Sequence, residues 1–216
     1  NNIKKTNISQ INNYASNDIK IILSIPPELD VIKTFKLGFS EKILIINSKL
    51  TGQVKQRQYA YKFCKTKFIM QMDDDIEFDT KKINTLLLHF RKLPHKSCLA
   101  PYLNLKHNSF SRISSIARNL FLYSDVFPKP GSIARSTFPV PYVKLKKSPN
   151  TLYEEVNWLP GGILILRKED IIKEDYFPFK GKAFCEDLIH SFILKEKGIK
   201  LYISNKLSFK TPIESY

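Results

Sequence analysis

Short apolar runs and amphipathic stretches alternate along the first ninety or so residues of this 216-residue chain. Residues 4–15 carry a weak helical pattern, and residues 19–23 form an apolar run, a predicted strand stopped by Pro26 and Pro27. A helical stretch at 28–38 leads to a second predicted strand at 42–46. A helix is expected from about 51 to 64, then a third strand, Phe68-Ile69-Met70-Gln71-Met72. Asp79 is placed to cap a further helix that runs to about residue 93 and is stopped by Pro94. Alternation of this kind predicts an α/β sheet with parallel neighbours.

The rhythm breaks between 97 and 150, a proline-rich stretch. Within it, residues 110–127 put Phe110, Ile113, Ile116, Ala117, Leu120, Phe121 and Ser124 on one helical face, with Arg112, Ser115, Arg118 and Asn119 elsewhere. Such a helix either packs on the core or lies on an anionic bilayer. Regular patterning returns at 155–159 and 163–166, two apolar runs separated by Pro160-Gly161-Gly162. The glycine pair is either a plain hairpin turn or a place where backbone approaches a ligand closely. Glu186 and Asp187 then open an amphipathic helix over 188–197, closed by Gly198, and a strand follows at 199–203. The pattern divides the chain into 1–96, an irregular and amphipathic insertion at 97–150, and 151–216.

Composition narrows the possibilities. Hydrophobic content of 43% supports a packed core and excludes disorder as the default state. No run reaches the roughly 18 apolar residues of a membrane span, and the first residues lack the apolar region of a signal peptide. Cys64, Cys98 and Cys185 form no metal or redox spacing, are expected to be small buried side chains, and suit a reducing, cytoplasmic compartment. The formal charge of +15 calls for an anionic partner, such as nucleotide phosphates or an anionic membrane surface. No nucleic-acid-binding module is recognisable, so nucleic acid is not the expected partner.

Against that basic background, Asp73-Asp74-Asp75 follows directly on the third predicted strand. Ligands of open α/β sheets bind at the carboxyl ends of strands. Crowded carboxylates raise one another's pKa unless a cation neutralises them. The triplet is therefore either a divalent-metal site for a phosphate-bearing substrate or a solvated loop leading to the Asp79 cap. Glu186 and Asp187, at a helix start, either complement the helix dipole or point a carboxylate into a cleft. Taken together, the two acidic elements suit displacement at a sugar carbon. A metal offsets charge on the departing diphosphate, and a separate base takes the proton of the attacking hydroxyl.

Four stretches in order carry a resemblance: Gln53-Val54-Lys55-Gln56-Arg57-Gln58-Tyr59-Ala60, then Phe68 to Ile76 with its triplet, then Val156-Asn157-Trp158-Leu159-Pro160-Gly161-Gly162, then Cys185-Glu186-Asp187-Leu188. Across about residues 50–205 the chain resembles family 2 glycosyltransferases of the bacterial surface-polysaccharide kind. The resemblance implies a GT-A-type α/β single domain with a mixed, mostly parallel sheet. It also implies inverting transfer from a nucleotide-sugar donor, a UDP-sugar by preference, to a glycan or lipid-linked acceptor. By that resemblance Asp73 and Asp75 hold Mg²⁺ or Mn²⁺, and Asp73 and Asp74 contact the donor. Gln53 and Arg57 face the nucleotide, Trp158, Gly161 and Gly162 line the pocket, and Asp187 is the base with Glu186 in support. The family begins with a strand that has no counterpart here, so residues are expected to be missing before Asn1. Ser24-Ile25-Pro26-Pro27 replaces the family's base-binding Asp, with Asp30 nearby, and Lys210-Thr211 stands where a metal-binding His is often found. His190 is expected to be a packing or supporting residue. A non-catalytic membrane- or glycan-binding module and a metal-dependent phosphoryl-transfer enzyme are the competing readings.

Overall fold

The computed structural model describes residues 5–16, 19–104, 112–141, 151–177 and 185–211. Phe110, Lys144, Lys146, Lys147 and residues 181–184 lie outside them. The chain runs α1 (Lys5–Tyr14), β1 (Ile21–Ile25), α2 (Val31–Phe35), β2 (Ile43–Asn47), α3 (Gln53–Tyr61), β3 (Phe68–Met72) and α4 (Thr80–Arg91). It continues through β4 (Ser97–Asn104), α5 (Arg112–Tyr123), β5 (Tyr153–Val156), β6 (Ile163–Arg167), α6 (Glu186–Glu196) and β7 (Lys200–Lys210).

The strands form a parallel pair, β1–β2, and a five-stranded mixed sheet in the order β3-β6-β4-β7-β5. In the larger sheet β3, β4 and β7 point one way and β6 and β5 the other. Among the described residues no strand hydrogen-bonds to both β1 and β3. The mixed α/β architecture expected from the sequence is present, but the sheet is not mostly parallel. Among the described residues β1–β2 and β4–β7 pair parallel, whereas β3–β6, β4–β6 and β5–β7 pair antiparallel. None of the described helices is long and apolar enough to cross a membrane.

Period-two alternation explains why the larger sheet is covered on both faces. Ile163 and Ile165 of β6 face one apolar cluster, shared with α1, α4, β1 and β2. Leu164 and Leu166 face the other, shared with Leu194 of α6 and with Ile171 and Ile172. Arg167 ends β6 buried, its guanidinium over the Phe90 ring and donating to the carbonyls of Leu93 and Pro94, the residues that follow α4. Asp79 caps α4 as its sequence position predicts, accepting from the amides of Lys81 at 3.0 Å and Lys82 at 3.1 Å. Such a cap contributes about 1 kcal/mol. Asp30 caps α2 in the same way, accepting from Ile32 N at 2.8 Å, so its carboxylate is committed to a helix end.

Several expectations change. The stretch opening at residue 97 is a central strand, β4, paired with both β6 and β7. Pro101 disguised it, since proline cannot donate to a ladder, and the register with β7 shifts at Pro101/Tyr102. Pro160-Gly161-Gly162 is not a hairpin turn, because β5 pairs with β7 whereas β6 lies between β3 and β4. Cys98 is buried, but Cys64 is half-buried and Cys185 is exposed in a left-handed conformation at the start of α6. The apolar face read for α5 divides. Ile116, Leu120 and Phe121 are exposed, whereas Tyr123 is buried.

Candidate functional site

Three elements converge at the carboxyl end of β3. Met72 of β3 pairs with Ile163 of β6, and the ladder closes where Asp73 N donates to Gly162 O at 2.8 Å. The triplet therefore lies against the glycine turn. Buried Asn7 of α1 steadies the next residues, donating to Ile76 O and accepting from Phe78 N. Glu77 N donates to the carbonyl of Lys210 at the end of β7.

Helix α3 supplies the polar wall. Gln53, Arg57 and Tyr61 are four residues apart and share a face. Gln53 Nε2 donates to both carboxylate oxygens of Asp73 at 3.2 Å. Arg57 Nη2 donates to Asp73 Oδ1 at 2.7 Å, and Arg57 Nη1 donates to Glu186 Oε1. Tyr61 donates its hydroxyl to Gln71 Oε1, and Gln71 Nε2 donates to Gly161 O at 2.7 Å. One guanidinium thus joins the two acidic elements that lie far apart in the sequence.

Glu186 and Asp187 are adjacent but have different surroundings. Glu186 is buried at 3% exposure, accepting from Arg57 on one oxygen and from the Tyr176 hydroxyl at 2.9 Å on the other. Asp187 takes a backbone hydrogen bond from Gly161, yet burial pushes its pKa up to about 6, with Glu186 adding to the shift and Arg57 opposing it. Burial also raises Asp73 above the ordinary carboxylate range, with Arg57 and Gln53 pulling the other way. His190, one turn on, is pushed down to about 4 by burial, with its ring 5.3 Å from that of Tyr176. It is neutral at pH 7 and packs behind Glu186.

Any side chain at 161 would have to displace the acidic pair. A Cβ there would stand 2.6 Å from Asp187 Oδ1 and 2.9 Å from Glu186 Oε1. At 162 it would meet Ile76 Cδ1 at 3.0 Å, with Asp73 Oδ2 at 3.7 Å. At 161 the turn thus touches Glu186 and Asp187, and at 162 it packs against the apolar ends of Ile76 and Leu103 beside Asp73.

The structure brings Asp73, Gln53, Arg57, Gly161, Gly162, Glu186 and Asp187 together. Asp74 is exposed and Asp75 half-buried in the turn after β3. Trp158 is half-buried and donates Nε1 to Val140 O at 3.3 Å, which ties it to the segment after α5. Sequence reasoning missed Tyr176, Gln71 and Tyr61. The four-residue spacing of Gln53, Arg57 and Tyr61 was a usable signal, but Tyr176 lies in a loop with no pattern to expose it.

A divalent ion was expected at Asp73 and Asp75. Among the described residues no group of three or more His, Cys, Asp or Glu side chains is placed to hold a metal, so there is no protein-only cage. The donor set, two carboxylates at the edge of a turn, is of the oxygen type that binds Mg²⁺ or Mn²⁺ jointly with substrate phosphates.

No protein-family model matches the chain, and no curated protein matches it. Solved structures do. The chain is similar to GalNAc-T7, crystallised with UDP, GalNAc and Mn²⁺, at a TM-score of 0.55 and 12% identity over 90% of this chain. It spans only 37% of that protein's chain. A second similar structure, A197 from STIV, has a TM-score of 0.45 and 15% identity, covering 91% of this chain and 87% of that one. The fold of the present chain is a GT-A-like mixed α/β fold, and at these identities the likeness concerns fold alone.

Proposed function

We propose that the protein is an inverting glycosyltransferase that moves a sugar from a nucleotide donor, a UDP-sugar by preference, to a glycan or lipid-linked acceptor in surface-polysaccharide synthesis. The observation that carries this reading is the division of labour between Glu186 and Asp187. Glu186 is buried and held between Arg57 and Tyr176, its two oxygens already occupied as acceptors. Asp187, with a pKa of about 6 beside the Gly161 turn, is poised to accept a proton near neutral pH.

In the mechanism, the donor's diphosphate lies near the carboxyl end of β3, where Asp73 accepts from a ribose or sugar hydroxyl and Asp74 lies alongside the donor. Arg57 and Gln53 fix the Asp73 carboxylate in one orientation. Asp73 and Asp75 would hold Mg²⁺ or Mn²⁺ together with the diphosphate oxygens, and the ion would offset charge on the leaving group. The acceptor hydroxyl attacks the anomeric carbon from the face opposite the diphosphate, and Asp187 takes its proton. Trp158, Gly161 and Gly162 line the sugar pocket. Residues 1–96 then form the donor-binding half and 151–216 the acceptor and base half, with the protein working at the inner face of a membrane.

The test is nucleoside diphosphate release from a panel of nucleotide sugars with Mn²⁺ and an acceptor extract, run beside calorimetry with UDP. Asp187→Asn should keep nucleotide binding and lose about 10²–10⁴-fold in turnover. Unchanged turnover in that variant would remove the base. No heat with any nucleoside diphosphate would favour the non-catalytic module. A phosphoryl-transfer enzyme has less support, because such sites draw carboxylates from several strands, whereas here the second acidic pair, Glu186 and Asp187, comes from the start of one helix.

A further inference from the structure

Helix α5 and the segment after it form a limb with several large apolar side chains facing outward, although Tyr123 and Val140 are buried. Ile116, Leu120 and Phe121 of α5 are exposed, Phe121 at 86%. The chain turns at Ser124, with φ 54°, and presents Phe127 at 83% exposure, followed by exposed Ile133 and Phe138. The limb is locally ordered. Gly131 N donates to Val140 O at 3.1 Å, Val140 N to Ser132 O at 2.9 Å, and Ile133 bridges Pro139. The Ser136 hydroxyl donates to Leu122 O, and Asn119 Nδ2 donates to Val126 O at 3.2 Å, which fold the loop back against the helix.

Its root lies at the candidate site. Asn157 N donates to Gly131 O at 2.9 Å and Trp158 Nε1 to Val140 O, so the limb is fastened to the strand end that leads into Gly161. Six exposed large apolar side chains fall within residues 116–138, two of them phenylalanines above 80% exposure, a concentration that suits an interaction surface. Charge selects the partner. Arg112, Arg118, Lys129 and Arg135 are the basic residues of 112–141, and Asp125 is its one acid. Asp125 is turned toward its own backbone, accepting from Phe127 N at 3.0 Å. A second copy of a chain with formal charge +15 would be repelled. An anionic lipid surface would attract both the basic and the apolar groups, each Lys or Arg adding about 1 kcal/mol near such a surface.

We propose that this limb is a monotopic membrane-docking element that inserts Phe121 and Phe127 into the interface of an anionic bilayer, so holding the Trp158–Gly161 turn close to the membrane plane. An acceptor presented from a lipid would then reach Asp187 without leaving the surface. The docking itself stands apart from the transferase reading, because it needs neither donor nor catalysis.

The test is sedimentation of the full chain with phosphatidylcholine vesicles and with vesicles containing roughly 30 mol% phosphatidylglycerol. Binding should occur only to the anionic vesicles and should weaken as NaCl rises from about 0.05 to 0.5 M. The double variant Phe121→Ser/Phe127→Ser should bind about tenfold less, and Lys129→Glu/Arg135→Glu should lose the anionic preference, both with unchanged thermal midpoints. Equal recovery in the supernatant with and without anionic vesicles would overturn the proposal. A dimer seen by light scattering and abolished by Phe121→Ser/Phe127→Ser would also overturn it, assigning the surface to self-association.

Discussion

Around Arg57 the protein draws carboxylates inward, whereas along α5 and its hairpin it leaves aromatic and aliphatic side chains outside. Both regions run against the usual partition of polar and apolar groups. They differ in how the imbalance is settled. Glu186 and Asp73 find their counter-charge within the chain, in one guanidinium with little exposure. Phe121 and Phe127 find no cover among the described residues. The buried site is therefore coupled to the stability of the fold, and the exposed limb is coupled to whatever it meets. Mutations should separate the two sharply.

The largest effect should come from Arg57→Met. It leaves Glu186 buried without its cation and strips Asp73 of its shortest hydrogen bond. Breaking one partner of a buried ionic group costs about 3–5 kcal/mol. Urea unfolding should show a loss of that size, and adding Glu186→Gln should recover part of it. A loss below about 1 kcal/mol would mean that the clamp is weak and the contrast with the limb false.

Asp187→Asn should act on turnover and on stability in opposite directions. Its folded pKa of about 6 lies above the ordinary value of 3.8, so the folded state binds the proton more tightly than the unfolded chain. The charged form is thus destabilising. That penalty is fully present above pH 6 and fades as pH falls through the folded pKa toward 3.8. The amide removes the charge, so at pH 8 the variant should be more stable than the native chain by about 1–2 kcal/mol, with the gap closing by pH 4. Native turnover should fall on the acid side of pH 6, where Asp187 holds a proton. Midpoints that run parallel from pH 4 to 8 would show that Asp187 is not strained by burial.

Gly161→Ala should come next. Its Cβ would meet Asp187 Oδ1 at 2.6 Å and must push the carboxylate aside. Overpacking of this kind costs about 1–3 kcal/mol, and turnover should fall with the displaced base. Gly198 is the control. A Cβ there meets nothing within 4 Å, and only its φ of +76° resists substitution, so alanine should cost about 1 kcal/mol and leave turnover intact.

Much of this layout was legible in the chain. The run at 68–72 is strand β3 to the residue, Asp79 caps α4, and Gly198 ends α6 in the left-handed conformation that glycine favours. These features are local, and local physics decides them. What stayed hidden was set by distant partners. β4 carries a proline and is a strand because β6 and β7 flank it. Tyr176 matters because Glu186 reaches it, and no spacing encodes that. Arg57 could be placed on the right helix face, but its position between Asp73 and Glu186 depends on how three elements meet. For α5 the sequence left a packed and an outward face open, for a similar reason. Periodicity defines an apolar face but not what lies against it.

The smallest effect should be the most informative about the limb. Phe121 is 86% exposed and Phe209 is 0% exposed, so the same truncation to alanine probes opposite environments. Phe209→Ala empties a site among the residues shared by α1, α4 and β6 and should cost about 3–5 kcal/mol. Phe121→Ala removes a ring from water and should stay within about 0.5 kcal/mol of the native chain. It should still reduce binding to anionic vesicles, since the ring's apolar surface would be used only there. If Phe121→Ala lowers stability as much as Phe209→Ala, the ring is covered in the folded protein. The limb would then be core, and the contrast between the two regions would disappear.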